Sequence, residues 1–301
     1  MGAVRTGSGG GVVTSTFLAP LVHPGPRAPR RLESVSCATA VERISLEPGR
    51  RLVDAIDDEL ARLGADSAQV ELLGGPLARV SYCIPDLCHD GSRAAWYSET
   101  HEAVTPATIV GGSASVGRRD GERFMHCHAA WFDAYGQLRG GHVWPDTVVG
   151  TTPVEIVLHA FDSVALTSGE DSETLMPVFT PSASRIGSVA GTRRAVMTRV
   201  RPGVEIHDAV RKVMGNADMR RASVRGSLGS LVGATLLRDG DPVSVDGPAT
   251  EVAIAGHMGP DDAHLSVLVM DRHGGVHVGE LAECGNLVAV TFELLVEEIE
   301  S

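Results

Sequence analysis

The residues best suited to chemistry lie in one short stretch, Phe124-Met125-His126-Cys127-His128-Ala129-Ala130-Trp131. Apolar and polar residues alternate loosely there, which reads as a strand, and residues two apart in a strand share a face. His126 and His128 therefore project together, with Cys127 on the other side. A turn follows at Asp133-Ala134-Tyr135-Gly136, and the chain then reaches Gly140-Gly141-His142-Val143. A hairpin across that turn lays His142 near the first pair. Three neutral imidazoles on one sheet face make a ligand set for Zn²⁺ or a similar divalent ion. A fourth position stays open, as a catalytic metal needs for water or substrate. The alternative is a polar strand face whose histidines bond to backbone or to each other.

Two carboxylates are candidates for moving protons beside such an ion. Glu155 sits in Pro153-Val154-Glu155-Ile156-Val157. An acid among apolar strand residues needs a partner, either in a reaction or in a structural hydrogen bond. Glu99 sits in Trp96-Tyr97-Ser98-Glu99-Thr100-His101. Large aromatics beside ionisable groups in a long loop suggest a lid or pocket wall, with Glu99 as catalytic group or fourth ligand. The other use of such a loop is a packing or oligomer contact. The sequence contains no Walker loop, dinucleotide-binding glycine fingerprint, nucleophile elbow or zinc-finger spacing.

The elements that must position these residues occur twice. Residues 41–46 read as a strand, Glu47-Pro48-Gly49 as a turn, and 51–63 as a helix with Leu52, Ile56, Leu60 and Leu63 on one stripe. Gly64 ends that helix, and a strand over 68–73 leads to a Gly74-Gly75-Pro76 break. The order returns as a strand at 197–200, the turn Arg201-Pro202-Gly203, a helix over 204–214 and a strand at 222–224. A step of 154 residues carries Pro48 to Pro202, Gly49 to Gly203, Asp54 to Asp208 and Gly75 to Gly229. Later in each copy the step is about 138 and carries Glu155 to Glu293, so the first copy holds a 16-residue insertion between Cys83 and about Gly112.

This organisation predicts a flexible tail over 1–31, a first domain over 32–167, a linker over 168–193 and a divergent second domain over 194–301. In the second copy the spacing puts Asp262, His264 and Glu280 at the places of His126, His128 and His142, in a hairpin about two residues longer. That set reads as a decayed site, or as ligands for a harder metal. One principal site per chain follows.

Composition bounds the setting. Hydrophobic residues make up 43% and charged residues 21% of 301, as in a soluble globular protein of two domains. No apolar run approaches the roughly 18–20 residues of a membrane span, and the start lacks a secretory pattern. Five cysteines without framework spacing read as buried free thiols in a reducing cytoplasm, which sets the expected localisation. Net charge is −12, and since residues 1–32 carry four Arg and no acid, the remainder carries −16. Such a body repels phosphate backbones unless basic residues gather on one face, for which the tail and the segment from Arg211 to Arg221 are the candidates.

The order of Pro-Gly turn, helix, strand, Gly-Gly, His126-Cys127-His128, Gly140-Gly141-His142 and Glu155 resembles the plants-and-prokaryotes-conserved (PPC) domain family. The resemblance covers about 42–166 well and 197–298 more loosely. It implies an α/β (α+β) architecture, two tandem domains each with a twisted, mostly antiparallel sheet and a packed helix. It also implies a homo-oligomer, commonly a trimer, and in some members a metal on the three histidines. Plant members carry an AT-hook and bind DNA; this sequence has no Arg-Gly-Arg-Pro hook. The fold is similar to that of acetolactate decarboxylase, a zinc enzyme with a His-x-His plus His site. Three functions are compatible with these features. The first is a metal-dependent enzyme, lyase, decarboxylase or hydrolase, acting on a small oxygenated acid, with Zn on His126, His128 and His142 and with Glu99 or Glu155 moving protons. The second is a DNA-binding or regulatory protein. The third is a ligand-binding scaffold without catalysis.

Overall fold

The alternation of buried and exposed side chains continues well past the short strands read from sequence, and it builds long antiparallel ladders. In the computed structural model, residues 19–184 and 189–300 are described. The first copy runs β1 (Leu32–Leu46), α1 (Leu52–Leu63), β2 (Ala68–Arg79), β3 (Ala107–Arg119), β4 (Glu122–Phe132), β5 (Leu138–Val143) and β6 (Val154–Phe161). A hairpin of β7 (Val164–Glu170) and β8 (Pro177–Ala183) follows. The second copy runs β9 (Arg193–Val200), α2 (Ile206–Asn216), β10 (Ala222–Leu231), β11 (Thr250–Met258), β12 (Ala263–Met270), β13 (Val276–Leu281) and β14 (Val288–Glu298). With two helices among the described residues, the expected α/β balance is corrected to a largely β, mostly antiparallel fold. No described helix is long and apolar enough to cross a membrane.

Each helix buries one stripe on its own sheet. Leu52, Val53, Ile56 and Leu60 of α1 join Val70, Leu72, Met125 and Ile156 in one core. Ile206, Val210 and Val213 of α2 join Val252, Leu265 and Phe292 in another. Gly64 ends α1 in the left-handed conformation, at φ 71°, where its N–H reaches the carbonyl of Ala61.

The two copies are stitched and stacked. Residues 39–46 of β1 pair with β6 of the first copy, and residues 32–39 pair with β9 of the second. Strands β10 and β11 of the second copy lie on β2, β3 and β4 of the first. A buried trio crosses this seam: His159 Nδ1 bonds Glu297 Oε1 at 2.9 Å, and His159 Nε2 lies 3.5 Å from Glu71 Oε2.

The stretch read as a linker over 168–193 contains β8 and the end of β7, whose hairpin pairs Val164 with Ala183. Its turn carries Asp171 and Glu173. Asp171 Oδ1 meets Arg199 Nη2 and Arg201 Nη1, each at 2.9 Å, and Glu173 Oε2 meets Arg31 Nη1 at 2.7 Å. Of the segment expected as a tail, residues 1–18 lie outside the described residues. Residues 19–31 lie on the body, with Gly25 N–H donating to Glu173 O at 3.0 Å and His23 Nε2 bonded to Ala289 O at 2.8 Å. All five cysteines are free thiols, but the expected burial holds only for Cys83 and Cys127; Cys37 and Cys88 are partly exposed and Cys284 is exposed.

Candidate metal centre

Strand register brings the three histidines together. Ser115 faces His126 and Ser113 faces His128 across β3 and β4, and His128 faces His142 across β4 and β5. The two glycines before His142 allow close approach. A Cβ at Gly141 would lie 2.4 Å from the Cys83 carbonyl oxygen, and one at Gly140 would lie 2.6 Å from the Met270 side chain of the second copy. One ring nitrogen from each histidine lies within 4.8 Å of the others.

The second copy completes the site. Glu293 on β14 is fully buried and its Oε2 is hydrogen-bonded to His126 Nδ1. His128 Nδ1 donates to the Val252 carbonyl on β11 at 3.0 Å. The Val252 bond holds the His128 proton on Nδ1 and leaves its Nε2 as the free lone pair, and an ion with Glu293 ionised would set His126 the same way, the arrangement found around metal-bound histidine. Those two Nε2 atoms face each other at 3.0 Å. Glu251, also on β11, places Oε1 3.6 Å from His128 Nε2 and 3.6 Å from His142 Nδ1. Both nitrogens of His142, Glu251 Oε2, Glu293 Oε1, Trp144 Nε1 and Thr291 Oγ1 are buried without a hydrogen-bond partner. So many orphaned polar atoms in one place call for an occupant.

Burial dominates the electrostatics. It pushes His126 and His128 down to about 3 and His142 well below its ordinary value, with Arg119 adding to the effect at His126 and His142. Neutral imidazoles are the form that binds a metal. Burial raises Glu251 to about 7 and Glu293 to about 8. A cation between them would favour their ionised forms. The residues present thus fit a divalent ion.

The insertion in the first copy forms the wall. Its short strands Pro85–Asp86 and Trp96–Tyr97 pair antiparallel, and the Tyr97 ring lies 5.1 Å from the His142 ring. Trp144 packs on His142 from another side, at 4.8 Å between rings. The cavity left over the histidines is about 80 Å³ and is lined from both copies, among others by Tyr97, Arg119, Trp144, Phe179, Ser230 and Thr291.

Of the carboxylates expected from sequence, neither reaches this cavity. Glu99 is exposed on the insertion and points away; Tyr97, two residues earlier, faces in. Glu155 is 37% exposed and bonds Ser45 Oγ and, at 3.4 Å, Arg43 Nε. The Ser45 bond holds its carboxyl below the ordinary value. Its repeat partner Glu293 is buried because the first copy covers the outer face of β14, whereas Glu155 has no such cover. Glu251 was missed, although Thr250-Glu251-Val252-Ala253-Ile254 carries the same signal of an acid in an apolar strand.

The register of the second copy is also corrected. Ser266 faces Glu280 as His128 faces His142. The single step of 138 residues therefore relates 126 to 264, 128 to 266, 142 to 280 and 155 to 293, and the equivalents are His264, Ser266 and Glu280. Asp262 lies just before β12 and meets Arg221 at 2.9 Å, while His264 and Glu280 form an exposed pair at 2.8 Å. One His-x-His set per chain remains, and His126, His128 and His142 are the one such metal-compatible group among the described residues.

A model of the Plants and Prokaryotes Conserved (PCC) domain matches residues 38–162 and 187–300. No curated protein matches. Among solved structures, the chain is similar to a putative DNA-binding protein from Ralstonia eutropha JMP134, at 17% identity over 46% of this chain and 88% of that one, with a TM-score of 0.38. It is similar to a plant- and prokaryote-conserved protein from Pyrococcus horikoshii, at 18% identity over 47% and 93%, with a TM-score of 0.37. It is also similar to a metal-containing protein from Archaeoglobus fulgidus, at 20% identity over 48% and 96%, with a TM-score of 0.37.

Proposed function

The chain belongs to the Plants and Prokaryotes Conserved domain family, whose domain it carries twice, and we propose that its first copy holds a divalent metal ion, zinc by its donor set, in an enzyme acting on a small oxygenated acid. His126, His128 and His142 would hold the ion. The observation that carries this reading is the Glu293–His126 contact across the two copies, next to the wholly unpaired ring nitrogens of His142. A buried carboxylate that orients one imidazole, beside another with no partner, is costly unless an ion repays it.

When bound, a divalent ion supplies Lewis acidity toward a carbonyl, carboxylate or water. The chain's own groups supply the rest. Glu251, close to two of the histidines but bonded to neither, is the group placed to take and return a proton. Glu293 fixes the His126 ring and its tautomer. Tyr97 and Trp144 keep bulk water from the histidines. Lyase, decarboxylase and hydrolase chemistry all use these parts.

Elemental analysis of the purified protein tests the reading. About one equivalent of metal per chain, lost when His126 and His128 are both replaced by Ala, is expected. Metal-free wild-type protein with unchanged properties in the double variant would refute it. Salt-dependent binding of duplex DNA would favour the regulatory reading instead.

A further inference from the structure

Arg119 is the odd cation of this molecule. It ends β3, is half-buried, and lines the cavity over the histidines. Its Nε donates to Ser168 Oγ at 3.1 Å, and its guanidinium carbon lies 3.7 Å from the centre of the Phe124 ring. The other well-buried arginines, Arg31, Arg123, Arg199 and Arg201, each meet an Asp or Glu within 3.0 Å. Among the described residues no carboxylate lies within ion-pair distance of Arg119. The stacking and the Ser168 bond fix the plane of the fork and leave its two terminal nitrogens unmatched. A fixed, unmatched guanidinium in a partly desolvated wall is a receptor for a planar anion.

The charge of the cavity agrees. With a divalent ion in place and both Glu251 and Glu293 ionised, the site including Arg119 carries a net charge of +1. One monoanion is therefore attracted. Trp144 Nε1 and Thr291 Oγ1, both unpaired, line the same space and add polar partners for a further oxygen.

We propose that Arg119 selects the substrate by pairing with its carboxylate, and that the substrate is a small monocarboxylic acid with a second oxygen function. This deepens the metal-site reading and rests on it for the position of the second oxygen.

The test compares glycolate with glycolamide, which has the same shape without the charge, by titration calorimetry on zinc-loaded protein. Wild type is expected to prefer glycolate by about tenfold or more, as a charge-assisted bidentate pair implies. Arg119→Gln should lose that preference through weaker glycolate binding, and Arg119→Lys should keep part of it. Zinc content and melting temperature should be unchanged in both, which separates recognition from a structural role. Equal affinity of wild type for the two compounds, or an undiminished preference in Arg119→Gln, would overturn the proposal. Zinc content reports separately on the metal-site reading. Should no zinc be taken up, the metal-site reading falls, and this proposal, which needs the ion's charge, falls with it.

Discussion

Replacing Glu293 by Gln separates a composite metal centre from two domains that merely touch. The side chain is fully buried and its Oε2 bonds His126 Nδ1. Gln keeps the shape and can still accept from Nδ1, so the variant removes a charge and little else. Loss of a carboxylate behind a metal-bound histidine weakens metal binding about 10–100-fold, or about 1.4–2.7 kcal/mol. Glu293 belongs at the upper end, because a carboxylate with no exposed surface is not screened by water or salt. Glu155→Gln is the matched control. It changes the same position of the repeat, but at a side chain 37% exposed and bonded to Ser45 and Arg43. Its effect on metal affinity should stay within about twofold. Competition against a chromogenic chelator measures both constants. Unchanged affinity in Glu293→Gln, or equal losses in the two variants, would refute the claim that the second copy tunes the metal.

Three other outcomes are expected. Burial works to lower His159 and to raise Glu71 and Glu297, but their mutual bonds outweigh it, so His159 lies above its ordinary value and both acids below theirs. The trio therefore stabilises most between the ordinary values of 4.5 and 6.5; its contribution falls as pH drops through the lowered acid values and as pH rises through the raised His159 value. Denaturant melts against pH should flatten in His159→Gln, which should also cost about 1–3 kcal/mol by removing the charged partner shared by the two acids, leaving Arg225 at 3.8 Å from Glu71 and Arg193 at 3.7 Å from Glu297. Gly141→Ala should cost about 1–3 kcal/mol and loosen metal binding, since its methyl would meet the Cys83 carbonyl at 2.4 Å; thermal melts and the chelator assay check both. Asp171→Asn removes one of the two carboxylates that Arg199 and Arg201 share, leaving Glu33 at 3.3 and 3.0 Å, and should cost about 1–3 kcal/mol. Burial works to raise Asp171, but Arg199 and the Thr174 N–H hold it down at about 2; this stabilisation is full above 3.8 and should be lost as pH falls toward 2 in the wild type alone.

The His126, His128 and His142 cluster was legible because two local rules decide it: period two along β4, and a hairpin marked by Gly136 and the Gly140-Gly141 pair. The helix stripes were legible for the same reason. The source of the carboxylates was not. Glu155 and Glu293 look alike in sequence, and only the docking of one copy on the other buries Glu293 and leaves Glu155 in solvent. The position of Asp262 two residues before His264 imitated His-x-His and shifted the expected register, which strand pairing with Glu280 resets. The hairpin of β7 and β8 escaped because its fixing groups lie far along the chain, Arg199 in β9, Arg201 just after it and Arg31 just before β1. The underestimate of strand content has a simpler origin: β1 spends half its length on the partner copy, where no local periodicity announces it.

The division of the centre between copies also sets an order of assembly. His126, His128 and His142 all leave the ribosome roughly a hundred residues before Glu251 and about 150 before Glu293. Their core is separate from that of the second copy, so a nascent first domain presents the three ligands while the carboxylates are still unmade. A metal taken up at that stage would be chosen by availability and imidazole chemistry alone, and docking of β11 and β14 would then add the carboxylates to a site already filled.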